Sequence, residues 1–121
     1  DMLTPLWGLP EGVVAFEASG RVTNADYKER LIPALEAAIA EHGPIRFLYV
    51  LGEAFEGYDA GALWDDTFFG LKHIKDFEKV AVVADDPLYA GAVRMFAPML
   101  PCEVKLFPLA ERAEAKRWIA A

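Results

Sequence analysis

Ile45-Arg46-Phe47-Leu48-Tyr49-Val50-Leu51 decides the fold, because six of its seven residues are apolar. A strand with one wet face alternates apolar and polar residues. A near-continuous apolar run is buried on both faces, as a parallel strand between crossover helices is. His42-Gly43-Pro44, just before it, is a helix stop. After it comes Leu51-Gly52-Glu53-Ala54-Phe55-Glu56-Gly57-Tyr58-Asp59-Ala60-Gly61-Ala62-Leu63-Trp64-Asp65-Asp66. Gly52, Gly57 and Gly61 permit tight turning and positive φ, so this stretch reads as a loop leaving the carboxyl end of the strand. Such ends are where α/β sheets bind ligands and partners.

Working outward, Leu63, Trp64, Phe68, Leu71 and Ile74 recur at helical spacing. Lys79 to Ala84 is a second central strand. Asp85-Asp86-Pro87 opens another helix with proline at its first position, and that helix carries Tyr89, Val93, Phe96 and Leu100. Glu103 to Phe107 is a strand. Glu111 to Ile119 is a terminal helix with Ala115, Trp118 and Ile119 inward. Upstream, Leu3 to Leu9 is a weak strand limited by Pro5. Pro10 to Gly12 is a turn, and Val13 to Ala18 is the second arm of an antiparallel hairpin closed by Ser19-Gly20. Thr23 with Asp26 three residues on is a variant capping box. It starts a helix carrying Tyr27, Leu31, Leu35, Ala38 and Ile39, in which Pro33 must kink or loosen one turn. The expected architecture is α/β, β-β-α-β-α-β-α-β-α. It is one domain over residues 1–121, a five-stranded mostly parallel sheet with an antiparallel leading hairpin and helices packed on it.

Composition narrows the function classes. The chain has 121 residues, 55% hydrophobic, with 12 Lys and Arg against 19 Asp and Glu, a formal net charge of −7. Binding to phosphate backbones needs a basic footprint, so nucleic acid is excluded as the expected partner. Anionic membranes are disfavoured on the same ground, and no apolar run reaches the roughly 20 residues of a spanning helix. The single cysteine, Cys102, forms no internal disulfide, and the cytoplasm is the expected compartment.

Five phrases carry a family resemblance: Glu17-Ala-Ser-Gly-Arg-Val-Thr-Asn-Ala-Asp-Tyr27, Leu48-Tyr-Val-Leu-Gly52, Phe55-Glu-Gly-Tyr-Asp-Ala-Gly-Ala-Leu-Trp-Asp-Asp66, Gly70-Leu-Lys-His73 and Asp76-Phe-Glu-Lys-Val-Ala-Val-Val83. With the element order, they make the whole chain resemble the SpoIIAA-like, STAS-related proteins. These share a fold with bacterial anti-sigma-factor antagonists and are grouped with Sec14-type lipid-binding domains. The antagonists are regulated by phosphorylation of a serine just before a glycine, where the helix after the third strand begins. Here the matching residues are Asp59-Ala60-Gly61. Ala60 occupies the acceptor place and has no hydroxyl, so the resemblance implies the fold without its phospho-switch. Asp59 and Gly61 fit the pattern as helix cap and close-packing residue.

The candidate site follows. Phe55, Tyr58, Asp59, Ala60, Gly61, Trp64, Phe68 and Phe69 are the expected ligand- or partner-binding residues. Phe55, Tyr58 and Phe69 are candidates for a partly exposed apolar rim, and Trp64 and Phe68 are also members of the core stripe. Met95, Phe96 and Met99 would extend the rim. Glu53, Glu56, Asp65 and Asp66 match no metal-loop spacing, and read as a solvated acidic rim. His73 lies between Lys72 and Lys75 and reads as a surface residue, without a nucleophile at recognisable spacing. Cys102 lacks the basic neighbours that activate a thiol. No catalytic residue, metal or cofactor is expected. The chain reads as a non-enzymatic module that presents the Gly52–Asp66 loop and the following helix to a protein partner or to itself. The alternative is a carrier of a small apolar or lipid ligand, and an acidic-site hydrolase ranks last.

Overall fold

The computed structural model describes residues 3–61 and 72–121. Its sheet has five strands in sequential order: β1 (Leu3–Pro5), β2 (Val13–Val22), β3 (Ile45–Tyr58), β4 (Phe77–Val83) and β5 (Glu103–Phe107). β1 is antiparallel to β2, and the other three pairings are parallel. The expected mostly parallel sheet with a leading antiparallel hairpin is therefore present. β1 stops at Pro5, shorter than the expected Leu3–Leu9, since proline cannot donate to a ladder.

The helices divide between the two faces. One face carries α1 (Asn24–Asp26), a π-helical turn (Tyr27–Leu31), α2 (Ile32–His42) and α3 (Pro87–Phe96). Tyr27, Leu31 and Leu35 pack there on Phe16, Phe47, Tyr49 and Leu51, with Tyr89 of α3 joining them. α4 (Arg112–Ala120) covers the other face, where Ala115 and Ile119 meet Leu48, Val50, Ala81, Val83 and Phe107. β3 is buried from both sides, as its continuous apolar run requires.

Thr23 caps α1 in a full capping box: its hydroxyl accepts from the Asp26 N–H, and the Asp26 carboxylate accepts from the Thr23 N–H at 2.8 Å. Pro33 is accommodated just after the π-turn. The Ile32 N–H reaches back to the Tyr27 carbonyl, one residue further than in an α-helix. That extra residue lets the chain absorb a proline that has no N–H to give. Gly43 ends α2 at φ +76°. At the far end of the molecule, Arg46 donates to the carbonyls of Ile119 and Ala121 and pairs with Glu78 at 2.6 Å. Two cation-bearing strands (Lys79 also reaches the Trp118 carbonyl, at 3.3 Å) thus satisfy the carbonyl end of α4.

Two sequence expectations are corrected. β2 does not close at Ser19-Gly20 but runs to Val22, and β3 does not end at Leu51 but runs to Tyr58. Residues 52–58, read as the first half of a loop, are strand. Between the Ala18–Leu51 and Val22–Tyr58 pairs, β2 advances four residues while β3 advances seven. The three extra residues are bulges, which bend and coil a strand beyond its neighbours. The helix expected over Leu63–Ile74 falls mainly on residues outside the described range. At its ends Ala60, Gly61 and Lys72 are helical, and Ile74–Asp76 is a 3-10 turn.

Candidate functional site

β4 pairs with β3 only as far as Val50–Val83, so the last residues of β3 stand past the end of β4. That overhang builds an aromatic end to the sheet. Phe55, Tyr58 and Tyr89 form a triangle of edge contacts, with ring centroids 5.1, 5.3 and 5.5 Å apart. Offset and edge-on pairs of this kind add about 0.5–1.5 kcal/mol each beyond burial. The Tyr58 hydroxyl donates to the Tyr49 oxygen at 2.8 Å, and the Tyr27 hydroxyl lies 3.2 Å from Tyr49 on its other side. All four tyrosines of the chain gather here.

The three loop glycines serve different purposes. Only Gly57 takes positive φ, +123°, and a Cβ there would sit 3.4 Å from the Tyr89 hydroxyl. Gly52 and Gly61 are not at positive φ, contrary to expectation; they are glycines for lack of room. A Cβ at Gly52 would overlap the Glu17 carboxylate, which Arg112 holds at 3.1 Å. A Cβ at Gly61 would come within 2.9 Å of the Asn24 amide nitrogen, so the start of the next helix packs directly on α1. Asp59 stands immediately before helical Ala60, the position of a cap, and its N–H donates to the Val22 carbonyl. Ala60 is exposed.

Phe55 and Tyr58 are half-buried against one another and against Tyr89, and they pack on the core. Trp64, Phe68 and Phe69, with Asp65 and Asp66, lie outside the described residues. Among the described residues no group of three or more His, Cys, Asp and Glu is placed to hold a metal.

Apart from Trp7, the exposed large apolar side chains among the described residues lie on α3, on the 3-10 turn that follows it (Ala97–Met99) and at Leu100. Leu88, Met95, Phe96 and Met99 are between 55% and 72% exposed, and Leu100 adds to them. With exposed Ala92 they recur at i, i+4, i+7, i+8 and i+11. At ~100° per residue this is an arc of about 100° on one side of the helix. Ala90 is buried on the opposite side. Leu100 is exposed although it recurs with Tyr89 along the helix, whereas Met95, Phe96 and Met99 stand out as the extension of the rim that the sequence offered. The signal was in the sequence: from Pro87 to Phe96 only Arg94 is charged. A helix apolar all round belongs inside something.

Two other residues are corrected or upheld. His73 is not a surface residue: its ring is 15% exposed, with Nδ1 2.8 Å from Asp76 and Nε2 3.5 Å from Glu36 of α2. It ties α2 to the segment entering β4. Cys102 is half-buried, and burial pushes its thiol pKa up, away from the reactive thiolate. Two shallow grooves lie at the opposite end of the sheet. The larger runs between the Leu6–Pro10 loop and Ala34, Ala37 and Ala38 of α2, beside Trp7, which is 85% exposed.

The cap position at Asp59 and the glycine packed on α1 belong to the phrases that carried the resemblance. A SpoIIAA-like family model matches residues 13–120. The chain belongs to the SpoIIAA-like family. A crystal structure of an uncharacterized protein of the DUF3478 family with a SpoIIAA-like fold, from Shewanella loihica PV-4, is similar at 31% identity. The match covers 97% of this chain and 91% of that one, with a TM-score of 0.77. A search of curated proteins returns no significant match. No described helix of this SpoIIAA-like chain is long and apolar enough to cross a membrane. The alanine at the acceptor place gives a direct prediction. Incubation with an antagonist-directed kinase should leave residues 58–62 unmodified, as phosphopeptide mapping would show. Phosphorylation of an Ala60→Ser variant with a change in binding would reveal an intact kinase-docking surface.

Proposed function

We propose that this SpoIIAA-like chain is a non-enzymatic binding module for a protein partner, and that its contact face is the outer side of α3 with the adjoining end of β3. One observation carries the reading: a helix with one charged residue exposes Leu88, Met95, Phe96 and Met99 along a single stripe. Contiguous exposed apolar patches mark interaction surfaces, and fully desolvated aromatic anchors dominate interface energies. Tyr89, on the same helix, locks α3 to Phe55 and Tyr58, so the stripe is held rigidly at the sheet end where the sequence placed the site. Ala60 has no hydroxyl to phosphorylate, so binding here is constitutive with respect to that switch.

The test is a Phe96→Ser/Met99→Ser variant. Both residues are exposed, so the thermal melt should stay within about 0.5 kcal/mol of wild type. Self-association by sedimentation, or capture of partners by affinity pull-down, should fall at least about tenfold, or ~1.4 kcal/mol. An unchanged interaction profile with an intact fold would remove α3 from the contact face. Carriage of a small apolar ligand is the second reading, and the groove beside Trp7 and the α2 alanines favours it. An acyl chain released from the purified protein in denaturing mass spectrometry would move that reading ahead of the first.

A further inference from the structure

We infer that the outer edge of β5 docks a second copy of this chain, β5 against β5 and antiparallel, so that the two sheets become one. This surface is separate from the α3 stripe. β5 ends the sheet and pairs with β4 alone. The Phe107 carbonyl accepts from the Ala84 N–H at 3.0 Å, so Phe107 turns its main chain toward β4. Main-chain direction alternates along the strand, so Glu103 and Lys105 face β4 as well. Val104 and Leu106 therefore turn their N–H and C=O groups outward, and such a row is a template for another strand. The opposite edge of the sheet offers little, since β1 has three residues and ends in proline. α4 packs on Leu48, Val50, Ala81 and Val83 of the strands further in and on Phe107, and leaves Glu103 and Lys105 exposed.

Charge chooses the occupant. Glu103, Lys105 and Phe107 share the α4 face of β5, where the Lys105 ammonium lies 5.3 Å from the Phe107 ring centroid. Glu103 is in register with Lys79, but the Lys79 ammonium reaches the Trp118 carbonyl at 3.3 Å and lies 4.8 Å from that ring's centroid. Two identical strands pair antiparallel about a two-fold axis normal to the sheet. The outward residues then make the bonded pairs, and the residues between them face one another at about 4.5 Å between Cα atoms. With the axis at Val104, Glu103 of each copy faces Lys105 of the other. With the axis at Glu103 or Lys105, like charges meet, which destabilises a cross-strand pair. With the axis at Leu106, Val104 faces Pro108, which has no N–H to give. A lone lysine on an edge strand repels additions. An acid two residues before it on the same face makes this edge complementary to its own copy in one register. On the α3 side Val80 and Val104 are in register, so the same axis continues their apolar row across the join.

The test is a charge swap read by sedimentation equilibrium. The wild-type chain should dimerise. Glu103→Lys or Lys105→Glu alone sets like charges at both facing pairs and should weaken the dimer at least about tenfold. An equimolar mixture of the two single variants should dimerise as wild type does, because each chain then meets opposite charges at both pairs. The doubly substituted Glu103→Lys/Lys105→Glu chain should recover in the same way, and in no other register does it. Val104→Pro removes an outward N–H and no bond to β4, a place where an edge strand tolerates proline. It should abolish the dimer with the circular dichroism of the fold unchanged, which keeps the test decisive if a charge variant fails to fold. A monomeric wild-type chain, single variants or Val104→Pro that dimerise undiminished, or a mixture that stays monomeric overturns the inference. The Phe96→Ser/Met99→Ser chain should still dimerise while it loses partner capture. Loss of its dimer overturns the inference and assigns self-association to α3. A retained dimer with undiminished partner capture removes α3 from the contact face and leaves the β5 edge standing.

Discussion

Replacing Tyr27 with alanine is expected to destabilise the protein by about 3–5 kcal/mol, the range for a large buried aromatic. Tyr27 is 1% exposed, and its ring meets Tyr58 edge-on at 5.8 Å. It sits in the π-turn, where the chain is already committed to an irregular bond pattern by Pro33, so the backbone has little freedom to collapse into the space left behind. Tyr27→Phe keeps the ring and loses only the hydroxyl that lies 3.2 Å from Tyr49. That should cost about 1 kcal/mol. Urea melts of the two variants separate packing from the hydroxyl network. A loss under about 1.5 kcal/mol for the alanine variant would mean that the aromatic end repacks readily, contrary to the interlocked geometry described above.

The second large effect is expected at Gly57. Its φ of +123° is a conformation that side chains with a Cβ rarely adopt, and strain of that kind costs about 1–3 kcal/mol. Gly57→Ala should show that cost and little else, because the new Cβ meets Tyr89 at an ordinary 3.4 Å. Gly57→Val adds methyl groups against the same hydroxyl and should lose about 2–4 kcal/mol. The valine variant should also weaken partner binding beyond its effect on stability, because Tyr89 anchors α3 to the sheet end. Chemical denaturation together with the binding assay for the α3 stripe checks both parts. If Gly57→Val destabilises but binds normally, Tyr89 is a core residue without influence on the stripe.

The family assignment and the α3 stripe meet at one place in the fold. Sequential strand order puts α1, α2 and α3 on the same face of the sheet, while among the described helices α4 covers the reverse. In doubly wound sheets a ligand crevice opens where the strand order reverses; a sheet ordered β1 to β5 has no such reversal. The carboxyl end of β3 is instead filled by its own aromatics and closed by tyrosine hydroxyls bonded to each other.

Local chemistry settled much of this from sequence alone. The Ile45–Leu51 run forced a strand buried on both faces, Thr23 and Asp26 dictated a capping box, and Pro33 dictated a loosened turn. Pro87 and Asp86 fixed the start of α3, and the alanine at position 60 removed the phospho-acceptor. Each of these depends on residues within a few positions of one another. The loop reading of Gly52 to Tyr58 failed because glycine signals both a turn and a bulge. Only the neighbouring strand, β2, with its ladder continuing to Val22, shows that these glycines are bulges in a strand. The facing of α3 stayed open in the sequence for the same kind of reason. Its sequence is apolar on all sides, so helical period alone cannot orient it. The contact of Tyr89 with Phe55 and Tyr58, about 30 residues earlier in the chain, turns the helix so that Met95, Phe96 and Met99 face outward. The sequence determined most of the elements and showed that α3 carries a single charge, Arg94. The tertiary structure decided which apolar face is left uncovered, because that depends on contacts between residues far apart in the chain.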